Sequence, residues 1–289
     1  MRVTVVGASG FIGRHLSAAL RARGDEVVEA SLRDVDAAGQ ACEGSDALVQ
    51  LAGAPVATRW TARAKHEIHS SRVDATRALV DRLAQLRARP KAYVSASAVG
   101  YYGASETATF TESSPPGSDF LAQVCVGWER EASRAGELGM RVARIRTGIV
   151  LGPSGGALAR LLPIFKLGLG GVVGSGRQWN SWIHIDDVVG IYLLAIDGAD
   201  GALNATAPEP VRNVDFTWAL ASAVHRPAFL PVPAFALRAI FGEGASILTT
   251  GQRVLPERAL SLGYAFQYPQ ITAALSGALS YAPSATMNS

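Results

Sequence analysis

The sequence predicts an α/β protein, a doubly wound parallel sheet followed by a smaller mixed C-terminal domain, on three observations. The chain opens on a buried strand at residues 3–6, which runs through a glycine-punctuated turn into a helix. Short apolar segments then alternate with helical patterns to about residue 207, as is typical of βαβ units in a parallel sheet. After Pro208 the pattern changes to helices broken by prolines, which indicates a second, smaller domain.

The first turn carries three glycines at the spacing G-x-x-G-x-x-G. Glycine permits positive φ and a close approach of backbone that a Cβ would block. Ile12, Leu16 and Leu20 then fall on one face of a helix that ends at Gly24. The amino end of this helix presents free N–H groups and the positive end of its dipole, a field that suits a diphosphate. We therefore predict dinucleotide binding by Gly7, Ser9, Gly10, Phe11, Ile12 and Gly13.

The end of the second strand, residues 26–30, selects the cofactor in this architecture. A carboxylate there binds the ribose hydroxyls of NAD, whereas an Arg accommodates the extra phosphate of NADP. Arg33 follows Gly13 by about twenty residues, the spacing expected of the cofactor-selecting position. The sequence therefore favours NADP(H), while the neighbouring Asp34 and Asp36 keep NAD(H) as the alternative.

The third strand, residues 45–54, ends in Leu51, Ala52 and Gly53, whose small size would let a cofactor lie against the backbone. A long helix is predicted over residues 61–86. Its polar residue Arg72 faces either the cofactor or solvent, and the sequence leaves both open.

The fourth strand, residues 92–97, supplies the best chemical groups of the chain. Ligands in open α/β sheets bind at the carboxyl ends of strands. Ser95 is a candidate cofactor contact there, and Ser97, Tyr101 and Tyr102 are candidate catalytic residues. The alternative for each tyrosine is a core ring with a satisfied hydroxyl.

A further strand is predicted over residues 141–152, followed by a glycine-rich loop that reaches Gly176, a helix from Ile185 and a last strand at residues 201–206. Arg177 could bind a carboxylate or phosphate, and His184 could exchange a proton near neutral pH. We expect both to share one cleft with Ser97 and the two tyrosines. The alternative is that His184 merely packs one domain against the other.

Composition excludes several classes of protein. A net charge of +3, without a block of Lys and Arg, argues against nucleic acid as a partner. Two cysteines exclude a disulfide scaffold and indicate a reducing compartment. No apolar run approaches the ~20 residues that span a bilayer, and no His or Cys cluster has metal-ligand spacing. We expect a cytoplasmic protein with a small-molecule substrate, no metal and no membrane partner, and a homodimer as its oligomer.

Motifs along almost the whole chain resemble the extended short-chain dehydrogenase/reductase superfamily. Within it the chain is similar to the atypical "epimerase family proteins" of the NAD-dependent epimerase/dehydratase group. The segment from Phe229 to about Leu279 resembles the small domain of unknown function that closes these proteins. The other matching segments are residues 7–13, 51–53, 71–72, 95–103, 128–129, 146–152, 174–178, 182–184 and 204–208.

The resemblance implies a Rossmann domain with a nicotinamide cofactor and a smaller substrate domain. We expect the Rossmann domain at residues 1–152 and about 184–207. The substrate domain would comprise about 153–183 and 208–281, and residues 282–289 a disordered tail.

One departure from the family pattern concerns catalysis. Typical members carry Tyr-x-x-x-Lys on the helix after the fourth strand, where the Tyr exchanges a proton with the substrate and the Lys lowers the pKa of the Tyr. Leu121 and Cys125 stand at those positions here. The sequence therefore predicts an NADP-binding oxidoreductase or epimerase-like enzyme that lacks this pair. The alternative is a non-catalytic regulatory protein that senses NADP(H).

Overall fold

The computed structural model describes residues 1–153 and 155–280, so the predicted disordered tail at 282–289 lies outside the described residues. Six strands form one parallel sheet: β1 Arg2–Val6, β2 Glu26–Ala30, β3 Ala47–Gln50, β4 Ala92–Ala98, β6 Arg141–Thr147 and β10 Gly201–Ala205. Their order across the sheet is β10-β6-β4-β3-β1-β2. The chain starts inside the sheet at β1, with β2 on one side and the later strands on the other, which confirms the predicted doubly wound fold.

Helices cover both faces of this sheet: α1 Phe11–Ala22, α2 Val35–Ala41, α3 Ala62–His69, α4 Ala75–Leu83, α5 Phe120–Ser133 and α7 Ile185–Asp197. Two apolar clusters fill the space beneath them. One cluster joins Leu16 and Leu20 of α1 to Ile191 of α7, and the other contains Leu79 and Leu83 of α4.

A smaller mixed region packs at the carboxyl edge of the sheet around a third apolar cluster, which includes Trp182, Phe216 and Leu275. Its helices are α6 Gly156–Lys166, α8 Asn213–Ala223, α9 Ala234–Phe241, α10 Ser246–Thr249, α11 Glu257–Ser261 and α12 Ile271–Ser280. Its short strand pairs join β5 Thr109–Phe110 to β12 Arg253–Val254, β7 Ile149–Leu151 to β9 Trp182–His184, and β8 Trp179–Asn180 to β11 Val211–Arg212.

Two predicted elements are divided in the structure. The single strand expected over residues 141–152 breaks at Gly148, where a Cβ would overlap the Ser181 carbonyl oxygen; β6 stays in the main sheet and β7 leaves it. The helix expected over residues 61–86 contains a π-turn at Ser70–Asp74. Such turns often mark functional sites, and this one holds Arg72.

Among the described helices, none is both long and apolar enough to cross a bilayer.

Candidate cofactor and substrate site

One cavity of about 860 Å³ opens at the carboxyl ends of the sheet strands, within the size range of ligand pockets. Its lining includes a proximal half and a distal half. The proximal half consists of the glycine turn with the end of β3: Gly7, Gly10, Phe11, Ile12, Gly13, Leu51 and Gly53. The distal half consists of residues from outside the main sheet: Trp60, Phe120, Trp179, Asn180, Ile247 and Gln252.

The glycine turn is closed so tightly that side chains would not fit. Gly7 has a φ of +90°, and a Cβ there would lie 3.0 Å from the Ala52 nitrogen. A Cβ on Gly13 would overlap the Gly7 carbonyl oxygen. Gly10 caps α1 without any side-chain hydrogen bond, so the first N–H groups of the helix have no partner within it. These groups fit a cofactor diphosphate.

A second set of glycines packs against the Phe11 ring. Its ring fills the space that a Cβ would need at Gly152, Gly155 and Gly156, at the start of α6. The ring therefore ties the glycine turn to the smaller region and forms part of the cavity wall.

The structure assigns partners to both acidic residues after β2. The Asp34 carboxylate accepts the Ala37 N–H at 2.9 Å and so caps α2, and Asp36 pairs with Arg82 at 3.3 Å. Arg33 is exposed and has no ion pair among the described residues. Its guanidinium is thus the group that remains available for a phosphate.

Arg72 reaches the cavity from the π-turn. Its guanidinium lies against Gly53, where a Cβ would be 3.0 Å from Cζ, and 5.3 Å from the Trp128 ring. Nη2 donates to the Ala54 carbonyl at 2.9 Å, yet no carboxylate of the described residues lies within ion-pair distance. Burial lowers the pKa of Arg72. A largely buried cation without an anion is ready for an oxygen-rich or anionic ligand.

Leu121 and Cys125 both line the cavity, on α5 beside Gly100. A Cβ on Gly100 would lie 3.4 Å from the Leu121 Cβ and 3.9 Å from the Cys125 Sγ. Burial raises the pKa of the Cys125 thiol to about 12, so the thiol stays protonated. Neither residue supplies a proton or a positive charge to this wall.

Ser97 lines the cavity as the outermost member of a buried polar network. Its Oγ donates to Glu129 Oε1 at 2.7 Å, and Glu129 in turn accepts two bonds from Arg146 at 2.8 Å each. The proton of Ser97 is therefore engaged, and only its lone pairs face a ligand.

The structure corrects the expectation that Tyr101 and Tyr102 face this cleft. The Tyr102 hydroxyl donates to Asn204 at 2.6 Å and accepts from Arg146 at 2.9 Å. Burial raises the pKa of Tyr102 to about 12. The Tyr101 ring lies 3.4 Å from the Arg146 guanidinium carbon. Neither tyrosine is in the cavity lining, because both pack on the network behind Ser97.

Arg177 and His184 also lie outside the lining. Arg177 is 74% exposed and pairs with Glu106 at 3.3 Å. His184 is buried, stacks on Tyr268 with ring centroids 3.9 Å apart, and accepts the Asp186 N–H to cap α7. Burial lowers the pKa of His184, which keeps the ring neutral. The structure therefore gives His184 a packing role, which the sequence analysis left open as the alternative.

Four predicted cofactor contacts lie outside the lining as well: the exposed Arg33, and Ser95, Ala52 and Ser9. Ser95 is buried two residues deeper along β4 than Ser97, and its Oγ donates to the Ala96 carbonyl. Ala52 packs its side chain in the apolar cluster of α4, with its backbone against Gly7. Ser9 is exposed at the edge of the turn.

Sequence reasoning missed the distal half of the cavity and the central role of Glu129. The signal for Glu129 was present: Arg146 follows the buried Ile145 in a central strand, and a buried guanidinium needs a carboxylate. The distal half had no such signal, because its residues come from segments up to 192 positions apart, from Trp60 to Gln252.

The parallel sheet, the glycine turn and the uncapped amino end of α1 define a Rossmann-type nucleotide-binding protein of the short-chain dehydrogenase/reductase kind. The chain belongs to the NAD dependent epimerase/dehydratase family, which matches residues 3–206. Residues 232–278 match a domain of unknown function, DUF1731. The resemblance read from the sequence is therefore confirmed for both parts of the chain.

Individual relatives agree with this assignment. The chain is 44% identical to the Arabidopsis thaliana "Epimerase family protein SDR39U1 homolog, chloroplastic", covering 95% of this chain and 86% of that protein. The crystal structure of the human epimerase family protein SDR39U1 with NADPH has a TM-score of 0.91 at 37% identity, covering 96% and 99% of the two chains. A Corynebacterium glutamicum nucleoside-diphosphate sugar epimerase has a TM-score of 0.79 at 34% identity, covering 96% of this chain and 58% of that one.

Proposed function

We propose that this protein is an NADPH-binding oxidoreductase or epimerase-like enzyme that acts on a small molecule in the distal half of the cavity. The observation that carries the proposal is the uncapped amino end of α1, which faces a cavity shared by the sheet and the smaller region. The NADPH in the human relative's crystal structure supports the choice of cofactor. NADH remains the less favoured alternative.

The proposed cofactor contacts are lining residues of the cavity together with Arg33, which lies outside the lining. Phe11, Ile12 and Gly13 would hold the diphosphate through backbone N–H groups, and Arg33 would hold the 2′-phosphate. Arg72 would hold the nicotinamide ribose, because its guanidinium lies against Gly53 at the end of β3. When bound, the cofactor would supply a hydride, and Ser97 lines the same cavity.

Calorimetry with two halves of the cofactor tests these assignments. Adenosine 2′,5′-bisphosphate carries the phosphate expected at Arg33, and reduced nicotinamide mononucleotide carries the ribose expected at Arg72. Loss of a charge-assisted hydrogen bond costs about 1.5–3 kcal/mol, or roughly ten-fold or more in affinity. Arg33→Ala should weaken binding of adenosine 2′,5′-bisphosphate only, and Arg72→Gln should weaken binding of reduced nicotinamide mononucleotide only. Arg87→Ala is the control. Equal affinity of the unaltered protein for NADPH and NADH would contradict the proposal.

A second candidate function is an NADP(H)-sensing protein without turnover. Leu121 and Cys125 favour it, because neither residue on this wall of the cavity can exchange a proton with a bound substrate. Incubation of the protein with NADPH deuterated at C4 and a cell metabolite extract separates the two functions. Deuterium in a metabolite indicates an oxidoreductase. Binding without transfer of label supports the sensor only if the NADP⁺-loaded protein also epimerises no metabolite of the same extract, because an epimerase returns the hydride that it removes.

The proposal retains a reducing, cytoplasmic location and a homodimer as expectations. Cys42 and Cys125 are both buried free thiols, which supports the first. Size-exclusion chromatography with light scattering tests the second.

A further inference from the structure

We propose that the distal half of the cavity takes an uncharged molecule with a flat apolar ring system and one or two hydrogen-bonding groups, rather than a nucleoside diphosphate. This inference rests on the proposed function, because it assumes that the cofactor fills the proximal half. It deepens that function by naming the chemical class of the substrate.

Among the described residues that line the cavity, Arg72 and Asp119 are the charged ones. Arg72 lies on the cofactor side, against Gly53. The Asp119 carboxylate accepts the Ala122 N–H at 2.9 Å and caps α5. The distal half thus holds no cation that could neutralise a diphosphate, which binds through charge-assisted bonds to Arg or Lys.

Several cations close to residues of the distal half lie outside the lining of the cavity. Lys65 pairs with Glu243, and Arg177 pairs with Glu106 at 3.3 Å. The Arg212 guanidinium lies 3.8 Å from the centroid of the Trp179 ring, and Arg253, 5.2 Å from the same ring, is exposed to solvent. A diphosphate in the distal half would therefore lose water without gaining a buried positive partner, which is costly.

Aromatic rings form much of the distal wall of the cavity. Trp60 donates its indole N–H to the Val56 carbonyl at 2.9 Å, and Trp179 donates its own to the Glu106 carbonyl at 3.0 Å. The rings can offer a ligand only their apolar surface. Phe120 meets Trp60 edge to face at 5.2 Å. Such a wall favours a flat ring, since aromatic contacts add about 0.5–1.5 kcal/mol beyond area burial.

Few polar groups of the distal wall remain for a ligand. Ser181 donates to the Gln252 carbonyl, and Thr250 donates to the Ser246 carbonyl. The Gln252 side chain donates one amide N–H to the Val99 carbonyl at 2.8 Å, which leaves its second N–H and its oxygen. Within residues 1–153 and 155–280, the side-chain amide of Asn180 has no hydrogen-bond partner. Two side-chain amides match a ligand with one or two polar groups.

Two probes of the same shape and different charge test the inference. On NADPH-saturated protein, calorimetry would compare 2-naphthamide, which is neutral, with 2-naphthoate, which carries a carboxylate, and with UDP-glucose. We expect 2-naphthamide to bind at least about ten-fold more tightly than 2-naphthoate, because the carboxylate would be buried without a cation. No binding of UDP-glucose is expected. Trp179→Ala should lower the affinity for 2-naphthamide about two- to ten-fold and leave the affinity for NADPH unchanged. The control is Trp218→Ala, at an exposed tryptophan.

Tighter binding of 2-naphthoate or UDP-glucose than of 2-naphthamide would overturn the inference. So would a failure of 2-naphthamide to bind protein that holds NADPH. Failure of the proposed function is distinguishable, because it shows in the preceding NADPH titration.

Discussion

Arg146 and Glu129 form a bidentate ion pair behind the cavity, with Nε to Oε1 and Nη2 to Oε2 both at 2.8 Å. Each side chain is only 4% exposed. Burial by itself lowers the pKa of Arg146, but the hydrogen bonds and charge of Glu129 more than offset it, so the pKa lies above its ordinary value. The pair joins strand β6 to helix α5 and supports Ser97 at the cavity wall.

Glu129→Gln should therefore destabilise the protein strongly, because it leaves the Arg146 guanidinium buried without a counter-charge. Breaking a buried pair from one side costs about 3–5 kcal/mol. The matched control is Glu106→Gln at the exposed pair with Arg177, where a loss below about 1 kcal/mol is expected. Urea unfolding measures both, and equal losses would refute the structural importance of the buried pair.

Gly13→Ala should reduce both stability and NADPH affinity. Its Cβ would overlap the Gly7 carbonyl oxygen and lie 2.8 Å from the Ala8 Cα, and such overpacking costs about 1–3 kcal/mol. The shifted turn would also misplace the N–H groups of α1. Gly198→Ala is the control, since no heavy atom lies within 4 Å of its Cβ. Unchanged unfolding and NADPH binding in Gly13→Ala would contradict the geometry of this turn.

The two buried thiols should make stability fall at alkaline pH. Burial raises the pKa of Cys42 and of Cys125 to about 12, from an ordinary value near 9. Because the pKa of each thiol is higher in the folded protein than in the unfolded chain, its contribution to the free energy of unfolding is complete below pH 9. That contribution is lost as pH rises toward 12. At pH 10 the titration of each thiol should lower the free energy of unfolding by about 1.4 kcal/mol.

The measurement for the thiols is urea unfolding at pH 7 to 10 under reducing conditions. The double variant Cys42→Ala, Cys125→Ala should show a shallower decline than the unaltered chain. Identical slopes would mean that other groups, such as the buried tyrosines, account for the alkaline loss.

Cys125→Ser should leave NADPH affinity within about three-fold, because a protonated thiol provides no charge for the cofactor. Titration of NADPH against intrinsic fluorescence gives the comparison. A loss of ~100-fold, about 2.7 kcal/mol, would show that the thiol has a direct role in holding the cofactor.

Local patterns were sufficient for most of the fold. Strand β2 occupies the predicted residues 26–30, and helices such as α9 follow Pro208 as predicted, because apolar periodicity and breaking prolines act within a few positions. The glycine turn followed in the same way, since its spacing reports a backbone conformation that few other residues adopt.

The break at Gly148 could not be read locally. It depends on the Ser181 carbonyl, which occupies the space of a Cβ, and the sequence does not show that these two residues meet.

The sequence by itself therefore determined the doubly wound sheet, the glycine turn and the family. The tertiary structure decided which polar residues face the cavity. It turned Tyr102 and His184 inward and left Arg177 exposed. The direction of each side chain depends on a partner far away along the chain: Asn204 for Tyr102, Tyr268 for His184 and Glu106 for Arg177. It also brought Trp60, Trp179 and Gln252 together in the lining of one cavity. Periodicity within an element can be recognised in that segment alone, whereas packing between elements depends on residues of several distant segments.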